Sequence, residues 1–410
     1  MRKIKELVVN IGKAVKHELG SFKRNLKFEQ ELKSAKILKI IKTSDDPEEY
    51  LYQVTPERKE SLPMIKIFGI NEEGIVNKIA PELNMYRFKD AMINIRADWI
   101  IKGNQVVWDK YFDQQFDITI ACDYGVLKAK DGQMLLKKEV LQNEIVELEN
   151  VFSLGGVQSE HWGHFSLQHL PKLYEVPKIL QILGDEKLTI LLPNYKDLQI
   201  KKIVYDYLEN YSNVEIVVPK LNENIMCKQL FYMNKASYIM EHSRFSTRAS
   251  WNLTTYSADA LKNNLLKNIE EYDDEKNSKK IYLDRPTGMH RVIENREEIK
   301  DFFVSEGFTV IADSAGLSLE EKIKLFRNAT FLAGPEGTAF MNSIFCKKGT
   351  RILKFASFIT AENETLSGFY DKHWGTKTAI VCAYNDGKGE PHENFYIPLD
   401  RIKQAYYEMN

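Results

Sequence analysis

From Trp162 onward, apolar residues recur alternately at helical and at extended spacing, and this alternation is the most regular feature of the chain. An amphipathic stretch at 166–182 precedes a predicted strand at 188–192, a helix at 197–210 and a strand at 214–218. A charged, glycine-free stretch at 267–280, KNIEEYDDEKNSKK, has few apolar residues to bury and reads as a domain boundary. Beyond it the period resumes: strand 280–284, helix 296–306 stopped by Gly307, strand 308–311, helix 318–328, strand 330–333, helix 337–346 and strand 350–355. Helices alternating with strands predict βαβ units on parallel sheets. The part before Trp162 differs. Short runs at 64–69, 99–101, 105–108 and 117–122, separated by turns at 102–104 and 130–132, predict β-structure. A last helix is expected within 398–409, with Ile402, Ala405 and Tyr406 on one face.

At the N-terminus, Ile4, Leu7, Val8, Ile11 and Val15 share one helical face, and Lys3, Lys5, Lys13 and Lys16 leave a basic one. Residues 1–42 hold twelve Lys or Arg against four acids, so the basic excess is local. Such a helix can lie on an anionic membrane surface, or pack its apolar face on the protein with the lysines solvated. Both readings stay open.

A chain of 410 residues suits two domains and a remainder. With 43% hydrophobic and 28% charged residues and a net charge of −1, it reads as globular, and its overall field argues against a nucleic-acid partner. Cys122, Cys227, Cys346 and Cys382 lie far apart without a CxxC pair, the pattern of free thiols in a reducing compartment. No membrane-spanning run and no signal-type stretch is present, so export is not expected.

Three constellations carry candidate chemistry. AGPEGTAF, 333–340, follows an apolar strand and opens a helix, where unpaired N–H groups and the positive helix end favour a phosphate. Gly334, Gly337, Thr338 and Ala339 are small enough to let an anion approach, although glycine here also serves simple turn chemistry. Glu336 is the odd member. It either caps the helix or accepts hydrogen bonds from a ribose or sugar hydroxyl. Arg285 and Arg291 leave the first strand of the C-terminal half on the same edge, where they either bind phosphate oxygens or pair with Asp284, Glu294 or Glu297. The third constellation is SEHWGHFSLQHLPKL, 159–173, behind Gly155 and Gly156. His161 and His164 have no obvious third metal ligand, so no metal site is expected. A neutral histidine there is a candidate general base, and a buried hinge of the loop is the alternative.

These blocks, in this order, resemble glycosyltransferase family 61. His164, Phe165, Leu170, Pro171, Lys172 and Leu173 match its N-x-x-H-W/F-x-x-D/E-x-L-P-R-L block, with Gln168 where the family has an acid. Arg285, Arg291, Asn295, Glu298 and Ile299 match its second block. Ser318, Glu321, Ile323, Leu325, Phe326, Ala329, Gly334, Pro335, Gly337 and Asn342 match its third, with Glu336, Thr338 and Ala339 replacing His, Ala and Gly.

The resemblance implies an α/β fold of GT-B type, two Rossmann-like domains facing a cleft. With the boundaries read from the residues, the chain divides into a basic helical segment at 1–45, an acceptor-side domain at 46–266, a nucleotide-sugar-binding domain at 267–397 and a C-terminal helix at 398–410, the two domain roles being what the resemblance implies. It implies an inverting transfer from a nucleotide-diphosphate sugar, with a UDP-sugar as the first expectation and no further cofactor. The acceptor would be an oligosaccharide or a lipid-linked glycan of a bacterial capsule or lipopolysaccharide, handled in the cytoplasm or at the inner face of the membrane. Catalysis would fall to His164, Arg285 and Arg291. Donor binding would fall to Gly334, Pro335, Glu336, Gly337, Thr338, Ala339, Asn342, Glu321 and Asn295, and the acceptor side to His161 and Gln168. The departures at Gln168 and Glu336 keep a second class in play, a noncatalytic glycan-binding or assembly subunit of the same fold.

Overall fold

The computed structural model describes residues 27–42, 49–69, 75–108, 124–130, 132–196, 198–237, 253–285, 291–312, 316–357, 361–384 and 394–410. The basic amphipathic stretch at 3–16 and the strand expected at 117–122, with Cys122, lie outside the described residues. Among the described residues no helix is long and apolar enough to cross a membrane. Cys227, Cys346 and Cys382 are buried free thiols.

Among the described residues, eleven strands form one sheet. Its parallel half runs β13 (Val214–Val217), β12 (Leu188–Leu191), β11 (Glu144–Ser153) and β14 (Glu223–Met233). In chain order this is 3-2-1-4, a Rossmann half, and its strand order reverses between β11 and β14. β6 (Leu83–Ile93) pairs antiparallel with β14, and β7 (Ile100–Lys102), β8 (Gln105–Trp108), β1 (Lys36–Lys42), β10 (Gln133–Leu136) and β9 (Val126–Lys130) continue the sheet. β2 (Tyr50–Thr55) also pairs with β6.

A second sheet has six parallel strands in the order β16 (Phe308–Ile311), β15 (Lys279–Leu283), β17 (Ala329–Pro335), β18 (Arg351–Ala356), β19 (Lys377–Cys382) and β4 (Lys66–Phe68). The first five follow the doubly wound order 2-1-3-4-5, so the reversal lies between β15 and β17. The α/β class read from the alternation is observed. β4, however, comes from the first hundred residues, so the chain visits the second sheet before it completes the first.

Near the site the helices are α1 (Trp162–His164), α2 (Leu170–Leu173), α3 (Val176–Leu183), α4 (Leu198–Leu208), α5 (Thr255–Asn263), α6 (Arg296–Ser305), α7 (Leu319–Arg327), α8 (Ala361–Trp374) and α9 (Leu399–Met409). The largest apolar cluster crosses from one sheet to the other. It joins Phe152, Ile190 and Phe231 of the first to Ile281, Leu332 and Ile352 of the second, by way of Trp162, Phe340 and Phe345. A second cluster, rich in aromatic rings, packs Phe302, Phe303, Phe308, Phe331 and Tyr406 under α6 and α9.

Residues 36–42, expected within the helical segment at 1–45, form strand β1, where the β-branched Ile37, Ile40 and Ile41 suit a strand paired with β8 and β10. Two further elements differ from the sequence reading. The single amphipathic stretch at 166–182 is a π-helical turn, Phe165–His169, followed by α2 and α3. Pro171 and Pro177 lack the N–H that a continuous helix needs, and each sits in the first turn of a new one. The helix at 337–346 winds as a 3₁₀ helix, Thr338–Phe345, with every residue from Phe340 to Phe345 buried. The charged 267–280 stretch forms 3₁₀ turns at Ile269–Tyr272 and Glu275–Asn277. These are docked on the end of α7, where Asn328 accepts from the Asp274 N–H (2.7 Å) and donates to the Tyr272 carbonyl (2.9 Å).

Candidate active site

In open parallel sheets ligands gather at the carboxyl ends of the strands, where the strand order reverses. β15 and β17 flank such a point, and two of the three sequence constellations converge there. Asp284 and Arg285 follow β15. The Asp284 carboxylate holds Arg296 in a fork, with Nε at 2.7 Å and Nη2 at 2.5 Å, and also accepts the Arg285 backbone N–H at 2.9 Å. The anticipated partner of Arg285 is therefore committed to another guanidinium.

Arg285 instead crosses to the loop after β17, where its Nη2 donates to the Glu336 carbonyl at 2.9 Å. A Cβ on Gly337 would overlap that nitrogen, the far end of the Arg285 side chain, so a larger residue there would displace the guanidinium. Gly334 has φ +152°, and a Cβ there would overlap the Leu283 carbonyl at the end of β15. Both glycines thus bring β15 and β17 close enough for the arginine to span them. Burial lowers the pKa of Arg285 and the like charge of Arg291 lowers it further, while Glu336 opposes them. Arg291 adopts a left-handed conformation, φ +63°, unusual for a residue with a Cβ.

Glu336 has a counterpart that the sequence reading missed. Lys354, buried on β18, places Nζ 3.8 Å from Glu336 Oε1 and donates to Ser367 Oγ at 3.0 Å. It also stands 5.6 Å from the centre of the Phe340 ring. The register explains the meeting, since Lys354 pairs with Gly334 on β17. The carboxylate that looked misplaced beside a phosphate thus partners an ammonium taken out of water.

The 3₁₀ helix that opens at Gly337 has no side-chain cap at its N-terminus, and Thr338 in its first turn is exposed. Its far end meets α1: Phe345 stacks on Trp162 at 6.4 Å and 17°, and a Cβ on Gly163 would lie 3.4 Å from Met341. His164, the next residue, is thereby carried to the element that begins at the Arg285 loop.

His164 Nδ1 lies 2.7 Å from Gln168 Oε1, and Gln168 Nε2 donates to the Ser237 carbonyl at 3.1 Å. The second bond sets the orientation of the buried amide, because reversing it would set two acceptors face to face. Oε1 therefore points at His164, and the neutral ring holds its proton on Nδ1. The pairing is the ordinary i,i+4 contact of a helical segment, since α1 runs directly into the turn that holds Gln168.

The same segment closes the second reversal point, between β11 and β14. His169 is fully buried beside Gly156, with the Val157 backbone at its ring. Burial pushes its pKa well down, with Lys172, Lys235 and His164 adding to the effect, so it is neutral. Lys172 donates to the Ser153 carbonyl at 3.3 Å, and burial brings its ammonium down to about 8 against the pull of Asp98. Asp98 also pairs with Lys235 and accepts the Val157 N–H at 3.3 Å. His161, at the N-cap position of α1, is exposed and makes no capping bond.

Other site residues from the sequence reading are occupied by the fold. Asn295 donates to the Ile397 carbonyl and to Glu298, both at 2.9 Å, and so fastens the segment before α9. Glu321 forms a reciprocal capping box with Ser318 on α7. Asn342 donates to the Ala339 carbonyl at 3.2 Å, and its buried Oδ1 has no hydrogen-bond partner. Lys354, Ser237, Lys235 and Asp98 were not foreseen. Only the strand register or the return of β14 to the side of β11 brings them in, and neither shows as local periodicity.

The sequence model of the family described as Glycosyltransferase 61 matches residues 162–353, somewhat under half of the chain. The matched stretch runs from the first residue of α1 into β18 and contains both His164 and the Arg285 loop. It supports a glycosyltransferase, a transferase of general class EC 2.4, with a sugar donor and a glycan acceptor. No curated protein matches the chain significantly.

Proposed function

We propose that this protein is an inverting glycosyltransferase of GT-B type, moving a sugar from a nucleotide-diphosphate donor, first of all a UDP-sugar, to a hydroxyl of a growing surface glycan. The observation that carries the reading is the seating of Arg285 on Gly337 with Arg291 beside it, at the foot of the 3₁₀ helix whose other end touches the helix of His164. Two cationic groups at a strand-order reversal suit a diphosphate.

In this reading the donor diphosphate lies on Arg285, Arg291 and the N–H groups that open the 3₁₀ helix. The acceptor hydroxyl faces His164 Nε2. That nitrogen takes the hydroxyl proton while the oxygen bonds to the anomeric carbon and the bond to the diphosphate breaks. The electron pair leaves on the diphosphate, where the two guanidinium groups and the helix N-terminus stabilise the new charge. A single displacement inverts the anomeric centre. The acceptor is an oligosaccharide or lipid-linked glycan of the capsule or lipopolysaccharide type, reached from the cytoplasmic face of the membrane.

The test is transfer, and UDP release, from a panel of labelled UDP-sugars with wild type, Arg285→Ala and His164→Ala. Both variants should lose ~10²-fold or more in kcat/KM. Turnover by Arg285→Ala equal to wild type removes the diphosphate assignment.

A further inference from the structure

Gln168 stands where an acid would be the natural partner of a basic histidine, and the geometry gives it a different task. We infer that Gln168 is a positioning residue: its amide locks His164 in the Nδ1–H tautomer and so presents Nε2 as the proton acceptor. This rests on the reading of His164 as the base.

Gln168 is held at every step. Its Nε2 donates to the Ser237 carbonyl, and its own carbonyl accepts the Ala236 N–H at 3.3 Å, so the side chain and backbone of Gln168 are both tied to the exit of β14. That exit is anchored in turn by the start of α5. Ser237 Oγ lies 2.9 Å from Ser257 Oγ and accepts the Thr254 N–H at 3.2 Å, while Thr254 Oγ1 donates to the Ala236 carbonyl. Ser257 also bonds back to the Leu167 carbonyl at 2.9 Å, next to Gln168 itself. Gln168, Ser237, Thr254 and Ser257 are all essentially excluded from solvent. A network buried to this degree gives the amide one orientation. A relay thus runs from the N-cap of α5 through Ser237 and Gln168 to the imidazole.

A carboxylate at 168 could accept the same proton, and it would also favour the charged imidazolium, leaving a histidine that is protonated more often at rest. The amide orients without adding charge. Among the described residues, the charged and titratable side chains around this segment include Glu160, His161 and His169 on it, Lys172 on α2, and Lys235 with its partner Asp98. The 3₁₀ helix packed on α1 carries none.

Two measurements test the assignment. In the full-length wild type labelled with ¹⁵N-histidine, the spectrum should show His164, identified by its absence in His164→Ala, protonated on Nδ1 and bare on Nε2 when neutral. A proton on Nε2 overturns the inference without requiring any variant to be active. In the transfer assay, Gln168→Glu should move the acidic limb of the kcat profile upward by about one pH unit or more, leaving the donor KM in place. An unmoved limb in a variant that retains transfer activity also overturns it. If His164→Ala keeps wild-type kcat, the base reading itself fails, whatever the tautomer.

Discussion

The Arg285 guanidinium fills the space that a side chain at position 337 would need, so the arginine and Gly337 form one fitted unit across the β15/β17 reversal. Gly337→Ala must therefore push Arg285 off the Glu336 carbonyl. We expect UDP binding to weaken by ~10-fold or more, given about 1.5–3 kcal/mol for a hydrogen bond to a charged group. In an Arg285→Ala background the same glycine substitution should cost little further affinity, because the space is vacant. Calorimetric titration with UDP over the four proteins gives the coupling, and additive losses would show that the two positions act separately.

Glu336 and Lys354 yield a second expectation. Glu336 is one of two carboxylates, with Asp371, that act on the buried ammonium, so Glu336→Gln should lower stability by roughly 1–3 kcal/mol in urea unfolding. Glu336→Gln with Lys354→Met should recover most of that loss. No recovery in the double variant would mean that Glu336 is not there for Lys354.

Lys172 makes stability depend on alkaline pH. Its ammonium, pulled by burial from 10.5 to about 8, binds its proton less tightly folded than unfolded. Below pH 8 both states hold the proton and the full burden is present. Between about 8 and 10.5 the unfolded state binds more, so stability should rise with pH across that window. Lys172→Met should flatten this rise and remove roughly 3 kcal/mol of burden at neutral pH. Unfolding midpoints from pH 7 to 10.5 report it, and an unchanged slope would mean that Lys172 is not the group responsible.

Glu60 works in the opposite direction. It lies on strand β3 (Arg58–Pro63), where burial raises its carboxyl pKa, but His373, Lys372 and Thr255 outweigh this and bring it to about 2. Lys372 donates to it at 2.7 Å, so it fastens β3 to α8. Because the folded value lies below the unfolded one, this stability is complete above about pH 4.5 and is lost as pH falls toward 2. Glu60→Gln should unfold at lower temperature at pH 7 and lose less on acidification. Parallel melting curves of the two proteins between pH 7 and pH 3 would show that the clamp contributes nothing.

The sequence made the second sheet legible almost strand by strand, because each βαβ unit leaves an apolar run and an amphipathic period. Phe308–Ile311 appears where it was read, and α7 lies within the helix expected at 318–328, although the capping box of Ser318 and Glu321 was not anticipated. Arg285, Gly334 and Gly337 were legible as one edge of a sheet. The physical reason for Gly337 was not, since it depends on a side chain about fifty positions away. Glu336 looked anomalous because Lys354 reaches it only through the pairing of β17 with β18. Asn295 and Glu321 matched family positions, yet their hydrogen bonds go to helix ends and chain fastening. The break at 166–182 was foreshadowed by Pro171 and Pro177, whereas the π-helical turn at Phe165–His169 has no such local signature.

The central claim is that Arg285 holds the donor diphosphate while His164 acts on the acceptor. Titration calorimetry of UDP against wild type, Arg285→Ala and His164→Ala tests it most directly. Arg285→Ala should lose ~10²-fold in affinity and His164→Ala should bind as wild type does; equal UDP affinity in wild type and Arg285→Ala would contradict the account.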